Sequence, residues 1–217
     1  MKKILAVLVL LISVGFINSV NAEVLTKSDF VKLDNIGMKL LKSNNIDKRM
    51  TFDFTNVPHQ GVYPIVTDSS LYTDYNLHNN RIISVNANDY LRMTSDDEIA
   101  ALIAHNIAQG VNSFNGVMNG QFFWTKEILN GKANELKYDK QAVDYLVKAG
   151  YNPVAIITAY DKVGAEWRGV FWGRHQKVNT RMNTVYSQIK TNYPKYLGDN
   201  VYTKSDNYAR FIKANNL

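Results

Sequence analysis

The sequence predicts an α+β fold, because a helical segment is followed by a block of short strands and then by a series of helices. Residues 27–46 place apolar side chains at helical spacing. Residues 50–93 instead contain short alternating or β-branched segments, such as Thr51-Phe52-Asp53-Phe54, Tyr63-Pro64-Ile65-Val66 and Arg81-Ile82-Ile83-Ser84-Val85. The helical period returns after residue 94. We therefore expect helices packed on a small, mostly antiparallel sheet.

The later helices carry start and end signals. Ser95 can cap a helix whose first turn is acidic, and Glu98 follows three residues later. Apolar residues then recur at helical spacing, and Gly110 or Gly116 marks the end. The same reasoning predicts further helices at 125–148, near 153–164, at 178–191 and at 205–214.

The first 22 residues have the features of a secretory signal peptide. Lys2 and Lys3 give a positive start, a short apolar stretch follows, and Val20-Asn21-Ala22 has the small-residue pattern of a cleavage site. The alternative is an uncleaved anchor, although the apolar run is too short to cross a bilayer comfortably. We therefore expect a periplasmic or secreted protein with one domain over residues 23–217 and no transmembrane helix after cleavage.

The amino-acid composition limits the kinds of molecule that we expect this protein to bind. The chain of 217 residues has a formal net charge of +6 and no cysteine, so it needs no disulfides in an oxidising compartment. Its basic residues are scattered and are not clustered with aromatic side chains, which argues against nucleic-acid binding. Weak contact with an anionic membrane surface is compatible with this charge.

The most informative segment is the helix predicted around His105. On a helix, His105 and Gln109 lie one turn apart on the same face, with Asn106 beside them. In an H-E-x-x-H helix these positions hold two zinc-ligating histidines and the glutamate that acts as general base. This sequence reads H-N-I-A-Q. Taken alone, a single histidine on such a helix is more often a hydrogen-bonded structural residue.

Further segments occur in an order that carries a family resemblance. Glu135-Leu136-Lys137-Tyr138-Asp139 follows thirty residues after His105, then Ala149-Gly150-Tyr151-Asn152-Pro153, and later Arg174-His175-Gln176 and Arg181. With the segment before His105, these resemble the HtpX, BepA and CAAX-prenyl-protease family of zinc metallopeptidases over about residues 65–195. The resemblance implies a zincin-like domain of the gluzincin type.

The resemblance also implies roles for residues outside the motif helix. Glu135 matches the third zinc ligand and Asp139 the aspartate of an E-x-x-A-D pattern, in which Tyr138 replaces alanine. His175 and Arg181 match a histidine near the active site and an arginine six residues beyond it. The alternatives are an exposed, lysine-paired helix face for Glu135 and Asp139, and a surface loop histidine for His175.

The substitutions predict that the site is degenerate. A catalytic zinc needs three protein ligands and an open position, whereas only His105 and Glu135 are good ligands here. Asn106 occupies the general-base position and cannot accept a proton from water at physiological pH. We expect no resident cofactor and no peptidase activity, with His105 bonded to Gln109 or Glu135 in place of a metal.

Three functions follow from this sequence. The first is a non-proteolytic envelope protein that binds polypeptide, with residues 78–85 as the sheet edge that accepts it. The second is an active zinc metalloendopeptidase in which His59 or His78 supplies the missing imidazole. The third is a structural envelope protein without a ligand.

Overall fold

Seven helices and three strands form the described part of the protein. The computed structural model describes residues 25–55, 61–64, 80–114, 123–164 and 176–217. The helices are α1 (Lys27–Ser43), α2 (Ala87–Leu91), α3 (Asp96–Ser113), α4 (Phe123–Lys148), α5 (Ala155–Val163), α6 (Val178–Asn192) and α7 (Asp206–Asn215). The strands are β1 (Arg49–Thr55), β2 (Gly61–Pro64) and β3 (Asn80–Asn86). The predicted signal peptide lies outside the described residues.

The α+β prediction is confirmed, and the helices predicted from periodicity and caps are present within a few residues of their expected ends. Helix α2 is an addition that the sequence analysis did not contain. It forms because the Asn86 side chain accepts hydrogen bonds from the backbone nitrogens of Asn88 (2.9 Å) and Asp89 (3.2 Å). Such a cap satisfies donors that a short helix cannot satisfy itself.

The sheet is mixed, so the prediction of a mostly antiparallel sheet is wrong. Its strand order is β1-β3-β2, with β1 parallel to β3 and β2 antiparallel to β3. The prediction failed because β2 lies on the far side of β3, so β1 and β2, which are consecutive in the chain, do not pair. The prediction that residues 78–85 form a sheet edge is wrong for residues 80–85, because β3 has a paired strand on each side, and residues 78 and 79 lie outside the described residues.

Helix α3 lies at the centre of the fold and packs against α1, α4, α5 and the sheet. Its start is held as predicted, since the Ser95 hydroxyl accepts from the Glu98 nitrogen at 3.2 Å. The Glu98 carboxylate, which is 2% exposed, accepts from the Thr94 nitrogen and from Lys162. Twelve of its eighteen residues are buried, so most positions along it pack against a neighbouring element.

The contact between α1 and β1 requires a glycine. A Cβ atom added to Gly37 would lie 2.4 Å from the Phe52 ring, well inside van der Waals distance. The absence of a side chain at this helix position therefore lets the Phe52 ring lie directly against α1. Glycine inside a helix normally lowers stability, so its presence here reflects packing.

No helix among the described ranges is both long and apolar enough to cross a membrane.

We predict that Gly37→Ala lowers the free energy of unfolding by about 1–2 kcal/mol, because overpacking outweighs the gain in helix propensity. In a Phe52→Ala background the same change should instead stabilise the protein, since the clash is gone. Urea denaturation of the four proteins measures both effects. Destabilisation of equal size in both backgrounds would show that the Phe52 ring is not the reason for the glycine.

Candidate active site

The predicted site is organised around the carboxylate of Asp139, which is fully buried at 0% exposure. Its Oδ1 accepts hydrogen bonds from the Tyr160 hydroxyl (2.6 Å) and from Arg181 Nη2 (2.7 Å), and lies 2.8 Å from His105 Nδ1. Its Oδ2 accepts from Arg181 Nε at 2.8 Å. The four side chains come from α3, α4, α5 and α6, so one carboxylate joins four helices.

Arg181 completes this cluster from the first turn of α6. Its guanidinium binds both oxygens of Asp139, donates to the Tyr160 hydroxyl at 2.6 Å and lies over the Tyr160 ring, 4.4 Å from the ring centre. At 3% exposure it is a buried charge, and a buried charge is tolerated only when it is paired and hydrogen-bonded. The cluster satisfies that requirement.

The electrostatics keep Asp139, Arg181 and Tyr160 each in a single protonation state. Burial alone would raise the pKa of Asp139, but the Arg181 charge and hydrogen bonds hold it well below its ordinary value. Burial alone would lower the pKa of Arg181, but the Asp139 charge holds the pKa of that guanidinium above its ordinary value. Burial raises the pKa of Tyr160 well above 10, so its hydroxyl keeps the proton that it donates to Asp139. Asp139 and Arg181 therefore form an ionised pair, and Tyr160 beside them is neutral.

This arrangement fixes the tautomer of His105. An ionised carboxylate only accepts hydrogen bonds, so Nδ1 of His105 carries the proton and donates it to Asp139. Arg181 Nη2 also lies 3.1 Å from that nitrogen, but it cannot donate to a protonated ring nitrogen. The other ring nitrogen, Nε2, is left with an acceptor lone pair. It has no hydrogen-bond partner among the described residues.

The prediction that His105 bonds to Gln109 or Glu135 is wrong, because Asp139 is its partner. Asp139 reaches the ring since it lies one helical turn beyond Glu135, on the part of α4 that packs against α3. The alternative of an exposed, lysine-paired face for Glu135 and Asp139 is also wrong, since both are buried.

Asn106 and Gln109 flank the histidine on α3. Asn106 is 1% exposed, and its amide nitrogen Nδ2 is buried without a hydrogen-bond partner among the described residues. Gln109 is partly buried and makes no hydrogen bond with the part of the chain that the structure describes. The turn that corresponds to H-E-x-x-H therefore carries two polar groups that the described residues leave without hydrogen bonds.

Glu135 lies near the cluster, where its charge acts on both Arg181 and Tyr160. Its Oε2 accepts a hydrogen bond of 2.6 Å from the backbone nitrogen of Gln176. His175, the residue before Gln176, lies outside the described residues, as do His59 and His78. The proposed roles of these three histidines therefore stay predictions.

The donor set does not fit a catalytic zinc. In metal sites, a ligating histidine is commonly oriented by a hydrogen bond from its other ring nitrogen to a carboxylate, and His105 makes such a bond to Asp139. However, the described residues contain no group of three or more histidine, aspartate or glutamate side chains able to hold a metal ion. Gln109 offers only a neutral amide oxygen at the second ligand position. We therefore derive no catalytic step through a metal here.

Sequence reasoning missed two contributors to this site. Tyr160 occupies an apolar helix position at 1% exposure, where its pattern is that of an ordinary core residue. Gln176 contributes its backbone nitrogen, and because every residue except proline has this donor, the residue type does not reveal it. The pairing of Arg181 with Asp139 was also not foreseen, although both residues were singled out.

Comparisons with known proteins found no similar protein. No family model matches the sequence, and neither the curated proteins nor the solved structures contain a match to it.

We predict that Arg181→Met lowers the free energy of unfolding by about 3–5 kcal/mol, because it leaves the Asp139 charge buried without its counterion. Adding Asp139→Asn to that variant should recover part of the loss. Urea denaturation at neutral pH is the measurement.

The surface pair Arg210–Asp161 (2.6 Å) is the matched control, since the Arg210 side chain is 60% exposed. Arg210→Met should cost less than about 1 kcal/mol, because solvent screens an exposed pair. Equal effects of the two arginine substitutions would contradict the importance assigned to the buried cluster.

Proposed function

We propose that this protein is an exported, non-proteolytic relative of the zinc metallopeptidases that it resembles, and that it binds extended polypeptide in the cell envelope. The observation that carries the proposal is the turn of α3 at His105–Gln109. It combines an oriented imidazole with two uncharged amides, and Asn106 Nδ2 has no hydrogen-bond partner among the described residues.

The chemistry of this turn favours binding over hydrolysis. Peptide hydrolysis by a zincin needs a metal-bound water and a general base, and loss of the base alone typically reduces the rate by 10²–10⁴-fold. Asn106 cannot serve as that base, and Gln109 is a poor substitute for an imidazole ligand. Gln109, which is only partly buried, remains a good hydrogen-bonding group for an intact peptide.

Strand β2 is the edge that we propose for the bound polypeptide. It pairs only with β3 among the described residues, and α3 packs against it, so one free sheet edge lies beside the helix that carries His105. An extended chain can add to such an edge through main-chain hydrogen bonds, which depend little on sequence. Pro64 at the end of β2 limits the length of this pairing.

Export supports a role in the envelope. The proposed signal peptide would place the cysteine-free domain of residues 23–217 in the periplasm or the medium, where unfolded chains are exposed. The small positive charge is compatible with weak contact with anionic membrane surfaces.

The first test uses fluorescein-labelled, dephosphorylated β-casein as an unfolded polypeptide, with native lysozyme as the folded control. We expect fluorescence anisotropy to show binding of the casein at roughly micromolar Kd, because ordering a flexible chain limits affinity. We also expect no cleavage of the casein overnight. Absence of binding would favour the structural alternative, and cleavage blocked by a chelator would favour the active hydrolase.

The second test rebuilds the metal site. Gln109→His should raise zinc affinity by orders of magnitude, because it adds an imidazole one turn from His105, with Glu135 as a third ligand. Wild-type protein should carry well under one equivalent of zinc, measured by elemental analysis of untagged protein. Asn106→Glu with Gln109→His adds a base and tests for recovered casein cleavage. A folded Gln109→His variant that takes up no zinc would show that Glu135 does not face His105.

A further inference from the structure

Helix α4 is interrupted at Asn130, whose φ of −128° and ψ of 19° are non-helical. The continuous helix predicted at 125–148 is therefore two helical segments, 123–129 and 131–148, that meet at a kink. A residue with such angles disturbs the i→i−4 hydrogen bonds around it, and Gly131 follows directly, where the missing side chain adds backbone freedom. Rotation about the Asn130 backbone is consequently less restricted than at the regular positions of α4.

The Asn130 side chain is available for chemistry. It is exposed to solvent, and its carboxamide has no hydrogen-bond partner among the described residues. The next backbone nitrogen belongs to Gly131, which has no Cβ atom to obstruct an approach between that nitrogen and the carboxamide carbon. An exposed amide and an unobstructed nitrogen therefore lie next to each other at the kink.

The kink matters because a regular helix would protect this dipeptide. In an α-helix the backbone nitrogen is held by a hydrogen bond to the preceding turn, and the side chain is directed away from it. Asn-Gly occurs three times in the chain, at 115–116, 119–120 and 130–131. The first two lie outside the described residues, whereas the third lies where the structure shows the helical geometry to be lost.

We propose that Asn130 is a site of spontaneous covalent modification, at which the Asn130–Gly131 dipeptide deamidates through a cyclic imide. The Gly131 nitrogen forms a bond to Cγ of Asn130, and the side-chain nitrogen leaves as ammonia. Water then opens the imide ring. Cleavage of the bond to Cγ gives aspartate, and cleavage of the bond to the main-chain carbonyl carbon gives isoaspartate. The net reaction consumes one water and releases one ammonia.

The two products have different effects on α4. Both add a negative charge at the start of the segment 131–148, where the helix dipole favours an anion. The aspartate product is therefore compatible with the fold. The isoaspartate product places an extra carbon in the main chain and breaks the helical connection to the segment 123–129. This inference does not depend on the proposed polypeptide binding, since it concerns a reaction of the chain itself.

Tryptic peptides separate the proposed site from a matched control. Cleavage after lysine gives the peptides 127–132 and 133–137, which contain a single asparagine each, Asn130 and Asn134. Both asparagines lie in α4, but Asn134 has helical angles and precedes Glu135. The purified protein is kept at neutral pH and physiological temperature, then digested at mildly acidic pH. Liquid chromatography with mass spectrometry then resolves the asparagine, aspartate and isoaspartate forms of each peptide.

We expect Asn130 in the folded protein to react within about tenfold of its rate in the free peptide 127–132, because little local structure has to open at the kink. Asn134 should react at least about tenfold more slowly than Asn130, since the helix around it must open first. Gly131→Ala should slow the reaction at Asn130 by about tenfold or more, because the added Cβ obstructs the nitrogen and alanine favours a continuous helix.

Three results would overturn the proposal. Reaction of Asn130 no faster than that of Asn134, or more than about tenfold slower than in the free peptide, would show that α4 protects the site. An unchanged rate in Gly131→Ala would show that the Gly131 nitrogen does not take part.

A product mimic tests the stated effect on the fold. Asn130→Asp should keep the Tm of the wild type, because its charge lies at a helix start and is exposed. A fall of more than a few degrees would contradict the compatibility of the aspartate product with α4.

Discussion

The helical part of this protein depends on the hydrogen bonds and the ion pair that the buried Asp139 carboxylate forms. Taking an aspartate and an arginine out of water is costly, and the cost is offset only when every charged atom has a close partner. Here both carboxylate oxygens receive donors, from His105, Tyr160 and Arg181. Since these donors lie on three different helices and Asp139 on a fourth, the ion pair also fixes the relative positions of α3, α4, α5 and α6.

This network joins α3 to α4 directly through protein side chains. In the resembled family, zinc would tie the helix of His105 to the helix of Glu135. The same two helices, α3 and α4, are joined here by the His105–Asp139 hydrogen bond, and the Arg181 guanidinium extends the link to α6. Stability and metal binding are therefore separable, because the Asp139 contacts use Nδ1 of His105 and leave Nε2 for other partners.

The sequence was sufficient for the longer helices, but it missed the short helix α2, although the Asn86 cap of that helix is also a local feature. Caps such as Ser95 and the spacing of apolar residues located the helices, because both signals lie within the element that they define. Strand order could not be predicted from local patterns, because the parallel pairing of β1 with β3 depends on how the chain crosses between them. Likewise, the family resemblance suggested that His105, Asp139 and Arg181 matter, but only packing shows that Tyr160 joins them.

Under the proposed relationship to the zinc metallopeptidases, Asn106 and Gln109 would be linked substitutions. A glutamate at position 106 would be a carboxylate in a nearly solvent-free position, in the same region as Asp139 and Glu135. A bound zinc would compensate that charge, but without the cation it would be a third buried acid beside one arginine, and burying an unpaired charge is strongly unfavourable. Once a glutamine at 109 weakens metal binding, a neutral side chain at 106 becomes the stable choice. An asparagine fills a similar shape without the charge, so it is compatible with the near-complete burial of this position.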